Sequence, residues 1–305
     1  MRSVIARRLI APLILVPAFF IAFAGCTGNC SRQERDREFT VELPGDSPRD
    51  AERVRQIFYS LPSPVETALI LKSSGAVFDE DLLNPVENVS RYITNRSMAL
   101  NLGIYTTNLS YASLFDQAQI CIDYLDASKR LADNLGIIDA VDNFTLERLE
   151  ENISNQEVIM DIVSETFMNS SSFLQENNRE PVAAMLLAGG WIEGLYLALN
   201  QVDEDDLEHN KLINIIIDKK LSLEIVMLLL RQNSHNEDVA GLIEEMGRIV
   251  AIYEKMEIKR SPVEVDRSGE DGVTVLRSST DARIDRQVFT ELKLTVTDIR
   301  NSFVS

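Results

Sequence analysis

Two stretches decide the fold: residues 99–112, ALNLGIYTTNLSYA, and residues 185–198, MLLAGGWIEGLYLA. Laid over each other they pair Gly103 with Gly189, Tyr105 with Trp191, Asn108 with Gly194, Leu109 with Leu195 and Ala112 with Ala198. A glycine inside a helix costs about 1 kcal/mol relative to alanine, so Gly103, Gly189, Gly190 and Gly194 are expected to mark places where helices approach closely. Each stretch is followed by another long helical pattern. A spacing of 86 positions therefore fits two duplicated halves, with chance likeness between two apolar helices as the alternative.

Outward from these stretches helical periodicity dominates, and strand alternation is nearly absent. Helical patterns cover 50–59, 65–72, 86–96, 98–113, 114–135, 154–177, 181–202, 207–231 and 236–256. Pro62 and Pro64 divide the first two, and Asn84-Pro85 opens the third. Gly136 suits the C-terminal cap of its helix, and Asp205 or Asp206 the N-cap of the one that follows. Long helices with short links give antiparallel neighbours. The expected fold is all-α, stacked antiparallel helical hairpins or an irregular bundle, over 50–259. Residues 260–284 read as a linker with one strand-like patch at 273–276, at most a short hairpin. Residues 285–305 read as an amphipathic helix with Val288, Leu292, Val296, Ile299 and Phe303 on one side, a stripe that needs burial.

The N-terminus sets the compartment. Arg2, Arg7 and Arg8 precede an apolar run from Leu9 to Ala24 that is shorter than the roughly 20 residues of a spanning helix. Residues 1–25 therefore read as a secretory signal peptide. The run closes on Phe23-Ala24-Gly25-Cys26, which resembles the lipobox of bacterial lipoproteins with phenylalanine in place of the usual leucine. The resemblance implies lipidation of Cys26, and 26–49, polar and broken by Pro44, Gly45 and Pro48, reads as a tether. Cys30 and Cys121 remain. They could pair in an oxidising compartment, although Cys121 inside Ile120-Cys121-Ile122 suits a buried thiol.

Charge excludes one class of partner. The chain has 30 basic and 48 acidic residues, a formal net charge of −18. Loss of Arg2, Arg7 and Arg8 with the signal peptide would deepen the deficit. Nucleic-acid binding needs clustered Lys and Arg, and none is present. Membrane residence would rest on acyl chains rather than on a basic surface.

The search for chemistry returns few candidates. His209 and His235 stand in no paired metal-ligand motif, and no cofactor-binding motif occurs, so neither metal nor cofactor is expected. The acidic run 203–208 lacks the glycine and spacing of a calcium loop and suits a helix start. Ser170, Ser171 and Ser172 read as a polar helix face, and the neighbours Glu150-Glu151 and Glu244-Glu245 point apart on a helix. What remains is a polar-aromatic stripe: Asn101, Tyr105, Asn108 and Ala112 on one helix, with Gly189, Glu193, Tyr196 and Asn200 on the other. It is either a satisfied core seam or a groove for a peptide, glycan fragment or lipid, with Tyr105, Asn108, Glu193 and Tyr196 as binding candidates and Trp191 as packing.

The phrases ALNLGIYTTNLSYASLFDQAQICIDYL, LADNLGI and AGGWIEGLYLAL also resemble a group of helical lipoproteins of Bacteroidota of unknown function, over roughly residues 60–255. The resemblance implies a helical fold and an envelope location, and carries over no catalytic residue. The mixed charges of 31–36 differ from the acidic stretch that accompanies surface export in that phylum, so the outer membrane facing the periplasm is expected. The functional expectation is a noncatalytic lipid-anchored scaffold or binding module with an envelope protein partner. A ligand sensor or carrier and an enzyme with an unfamiliar carboxylate site are the alternatives.

Overall fold

The computed structural model describes residues 64–137, 147–149, 151–152, 155–208, 210–260, 264–266, 275–277 and 280–305. The expected signal peptide, Cys26, the expected tether with Cys30, the helix expected at 50–59, Glu150, His209 and the Ser171 side chain lie outside them.

The described chain is a bundle of α-helices with two short strand ladders inserted before the last helix. In order come α1 (Pro64–Ser73), two 3-10 turns (Glu80–Leu82 and Val86–Arg91), α2 (Asn95–Leu114) and α3 (Ala118–Asn134). Then follow α4 (Gln156–Glu176), α5 (Glu180–Asn200), α6 (Lys211–Gln232), α7 (Glu237–Tyr253) and, last, α8 (Arg286–Val304). Local chemistry sets the boundaries. Thr94 and Ser97 form a reciprocal capping box at the start of α2, while Asn155, Asn210, Asn236 and Asp285 cap α4, α6, α7 and α8 through their side-chain oxygens. Asp116, Gly136 and Asn178 take the left-handed conformation just past α2, α3 and α4, turning the chain sharply enough for antiparallel neighbours.

Two expectations are corrected here. The stretch 86–96 is not one helix: its helical turn ends at Arg91, Tyr92 is extended (φ −85°, ψ 99°) and α2 starts afresh at Asn95. The reason lies in side chains. Buried Tyr92 and Asn84 hydrogen-bond each other across this segment, which competes with continuing the helical ladder. The cap of α6 is Asn210 rather than Asp205 or Asp206, because turns at 204–208 delay the helix to Lys211, where the Asn210 side chain accepts from the Leu212 N–H.

The centre of the bundle is the crossing of α2 and α5. A Cβ on Gly103 would overlap the Leu186 carbonyl oxygen and lie 2.7 Å from the Gly190 nitrogen, and one on Gly189 would lie 2.8 and 2.9 Å from the Leu100 carbonyl carbon and Cα. Gly190 adds a third close approach, with Gly103 O and Thr107 Oγ1 each 3.3 Å from its would-be Cβ. Gly194 is buried on the same helix. Around the crossing, α1 touches α2 and α5, α4 touches α5 and α2, α1 and α4 touch each other, α3 backs α2 and α6 backs α5. Exchanging α1-α2-α3 with α4-α5-α6 leaves that set of neighbours unchanged, which is a local two-fold arrangement.

α5 is apolar and long enough to cross a membrane, yet 89% of its most apolar window is buried inside the protein, as befits a central core helix. The two-fold is broken by α7, packed on α6, and by α8, which lies across α5, α7 and α2 with Phe289, Leu292, Val296, Ile299 and Phe303 in the core. Between α7 and α8 two short antiparallel ladders pair β1 (Glu257–Arg260) with β4 (Thr280–Arg283) and β2 (Glu264–Asp266) with β3 (Val275–Arg277). The register sets Glu257 opposite Arg283, Lys259 opposite Asp281 and Glu264 opposite Arg277. Of the strand-like patch expected at 273–276, Val275 and Leu276 lie in β3, and 273–274 lie outside the described residues.

Candidate functional site

Glu193 is the one charged residue between Pro181 and Val202, and it sits fully buried on the face of α5 that α8 covers. A carboxylate withdrawn from water must be paired and hydrogen-bonded. Arg300 of α8 supplies the pair: its Nε donates to Oε2 at 3.0 Å and an Nη to Oε1 at 3.4 Å. The same Nη donates to the Leu82 carbonyl at 3.2 Å, and the guanidinium lies over the Tyr196 ring, 4.8 Å from its centroid. The second partner is Asn108. With its amide oriented to satisfy both neighbours, Nδ2 donates to Glu193 Oε1 (2.7 Å) and Oδ1 accepts from the Asn84 N–H (3.1 Å). Burial pushes Glu193 above the usual carboxylate range against the pull of Arg300 and Asn108, while Glu193 holds Arg300 above the ordinary guanidinium value.

Asn84 is the hub on the other side. Its carbonyl accepts from Tyr124 Oη at 2.7 Å, its Oδ1 from Asn88 Nδ2 at 3.0 Å, and its Nδ2 donates to both Tyr92 Oη and Asn101 Oδ1 at 3.0 Å. Tyr105 donates to the Pro85 carbonyl at 3.0 Å and packs edge-on against Tyr124, ring centroids 5.6 Å apart. Burial raises the tyrosine pKa values here, Tyr105 and Tyr124 strongly. Asn101 reaches the Phe303 carbonyl at 2.7 Å and Tyr92 the Val304 carbonyl at 3.3 Å, so the last turn of α8 finds its otherwise orphan acceptors satisfied by side chains.

Of the four binding candidates, Tyr105, Asn108 and Glu193 are fully enclosed, and Tyr196 is half-buried over Arg300. All four border one buried network; α8 covers Glu193 and Tyr196 through Arg300, whereas Tyr105 packs on Pro85 and Tyr124. Trp191 is also buried, but its indole N–H donates to Ser222 Oγ of α6 at 2.9 Å, so it packs outward on α6 as Tyr105 packs on α3. The pair flanks the glycine crossing from opposite sides.

The sequence reading missed Asn84, Tyr92, Tyr124 and Arg300. A signal for Arg300 was present: it lies four residues after Val296 on the apolar stripe of 285–305, and a cation there demands an acid such as Glu193. Nothing in its own sequence neighbourhood marks Asn84 as a hub, because its partners come from three segments, residues 88–92, α2 and α3.

Several of the remaining candidates have structural partners. Glu204 Oε1 lies 2.7 Å from Lys293 Nζ and Asp205 Oδ1 3.2 Å from an Arg286 Nη. Glu245 takes both its contacts with Arg96 at 2.9 Å, and Ser170 is buried on α4. Cys121 is a buried free thiol pushed up to about 12 by burial and by Asp116. Among the described residues no group of three His, Cys, Asp or Glu is placed to hold a metal ion.

The chain stands apart in comparison: no family model matches it, and neither does any curated protein or solved structure.

Proposed function

We propose that the chain is a lipid-anchored protein of the bacterial envelope that acts without catalysis, as a helical scaffold or binding module. Residues 64–305 would be presented on the periplasmic side of the outer membrane, at the end of the tether 26–49. One observation carries the noncatalytic reading: three of the four polar candidates, Tyr105, Asn108 and Glu193, commit their hydrogen-bonding capacity to protein partners inside the bundle, and the fourth, half-buried Tyr196, stacks on Arg300. A general acid or nucleophile needs a group within reach of a substrate, and these are spent on architecture. The anchoring reading is supported by Phe23-Ala24-Gly25-Cys26 after an apolar run, and by the resemblance to helical lipoproteins.

The test is metabolic labelling with an alkyne fatty acid, followed by envelope fractionation of wild-type and Cys26→Ser protein. Wild type should label and stay with the outer membrane, and the variant should do neither. A variant that labels and fractionates like wild type overturns the anchor. Site-specific crosslinking from α6 and α7 in the native envelope then tests the module reading, with one reproducible protein neighbour as the expected result and none as the result against it.

A further inference from the structure

α7 and α8 carry the same apolar stripe. In α7 it is Val239, Leu242, Met246, Ile249 and Tyr253, and in α8 it is Phe289, Leu292, Val296, Ile299 and Phe303, all of them buried in the core. Both stripes run in steps of three, four, three and four residues. A displacement of 50 positions therefore lays leucine on leucine, isoleucine on isoleucine and Tyr253 on Phe303. Such spacing makes a helix face that needs an apolar neighbour without naming the neighbour. By itself it cannot say which of the two helices covers α5 and which covers α6.

Connectivity leaves the same choice open. α7 follows α6 after residues 233–236, a link that makes the two adjacent without fixing the side, and α8 follows α7 only after residues 254–285. What separates the helices is one polar group on each. On the 50-position overlay Arg300 falls on Val250 and Lys293 on Ile243, so only α8 brings a cation to the carboxylate of Glu193. Tyr253 makes the reciprocal mark: its hydroxyl donates to the Ile216 carbonyl of α6 at 2.7 Å, and Phe303 at the matching place has no hydroxyl. An exchange of the two helices would leave the Glu193 charge without its cation and the Tyr253 hydroxyl without its acceptor, both away from water.

We propose that the buried Glu193–Arg300 pair is an address that assigns α8, and not α7, to the face of α5. Its main effect is to exclude the exchanged bundle, in the way that one polar residue in an apolar helix seam selects a single pairing among several. The hydrogen bond from Asn108 and the Leu82 carbonyl complete the address on the receiving side, because they hold the carboxylate and the guanidinium where the stripe alone would accept either helix.

The experiment uses the full chain labelled at isoleucine methyl groups, with the Ile249 signal reporting on α7 and the Ile299 signal on α8 by nuclear magnetic resonance. Wild type should give one signal for each. Glu193→Leu with Arg300→Met should keep its helix content by circular dichroism and a cooperative urea transition, yet give at least two signals for both isoleucines, with Ile249 in contact with α5 in the added set. Glu193→Gln with Arg300→Gln, nearer in shape to the native pair, is carried in parallel and should behave alike. Adding Tyr253→Phe should raise the added set further. Leu292→Ala, which weakens the packing of α8 but keeps the pair, should still give single signals. Single signals at wild-type positions in both neutral variants, or doubling in Leu292→Ala as well, would overturn the proposal. So would failure of both neutral variants to fold, since the pair would then serve stability and not choice.

Discussion

Gly103 and Gly189 occupy exchanged positions in a single helix crossing. The first lies against the backbone of Leu186 and the second against that of Leu100, and each contact becomes the other when the chain is displaced by 86 positions. Neither site has room for a side chain, and what stands in the way is backbone, which cannot rotate aside.

Gly103→Ala and Gly189→Ala should each therefore destabilise the domain by about 1–3 kcal/mol or more, through overpacking. Gly247, on α7 with no neighbouring atom within 4 Å of its would-be Cβ, provides the opposite sign. Gly247→Ala should stabilise by up to about 1 kcal/mol through helix propensity. Urea melts of the three variants check this, and equal effects at all three positions would refute the crossing.

Glu193 and Arg300 should behave as a buried pair. Glu193→Leu or Arg300→Met alone should cost about 3–5 kcal/mol, because each leaves an uncompensated buried charge, while the double variant should cost far less than the sum. A double-mutant cycle measured by chemical denaturation decides it, and additive losses would show that the two side chains do not meet.

Leu292 and Lys255 separate the two ways α8 is held. Leu292 is fully enclosed in the core, so Leu292→Ala should cost about 2–5 kcal/mol. Lys255 pairs with Glu291 at 2.6 Å on an exposed surface, and Lys255→Ala should cost about 1 kcal/mol or less. The Leu292→Ala loss should not depend on protein concentration, since α8 docks within its own chain. A concentration-dependent Tm in wild type would argue for docking between chains.

Trp191 is the protein's single tryptophan and lies in the core with its indole bonded to Ser222. Its fluorescence should be blue-shifted in the folded protein and move to the red on unfolding. Trp191→Ala should cost about 3–5 kcal/mol through the cavity it leaves, and a small loss would place the indole at a wet surface.

Tyr111 gives an alkaline signature. Burial lifts its phenol from 10.0 to about 12, with the Asp79 N–H bond pulling the other way. A group whose pKa is raised on folding contributes stability that is complete below pH 10 and is lost as the pH climbs through about 12, because the unfolded chain ionises first. Tyrosinate absorbance should therefore lag in the native state and appear with unfolding, and Tyr111→Phe should blunt the loss of stability across that window. A native titration centred near pH 10 for every tyrosine would contradict the burial.

The helices, the two glycine-aromatic stretches and the amphipathic stripe of 285–305 were legible in the sequence because periodicity, caps and glycine placement are local properties. Helix ends were less legible where several residues could serve: Asn210 caps α6 in place of the acids before it, and Tyr92 breaks a helical pattern in favour of its bond to Asn84. The residues of the stripe were also legible, but not their surroundings. Whether Glu193 faces water or a guanidinium depends on Arg300, which lies 107 positions away. No local pattern joins those two positions. Which segments are helical and which faces need burial both follow from the spacing of side chains along one segment. That α8 closes over Glu193 emerges at the level of packing between distant helices, because the net value of burying a charge is set by the partner that folding brings to it.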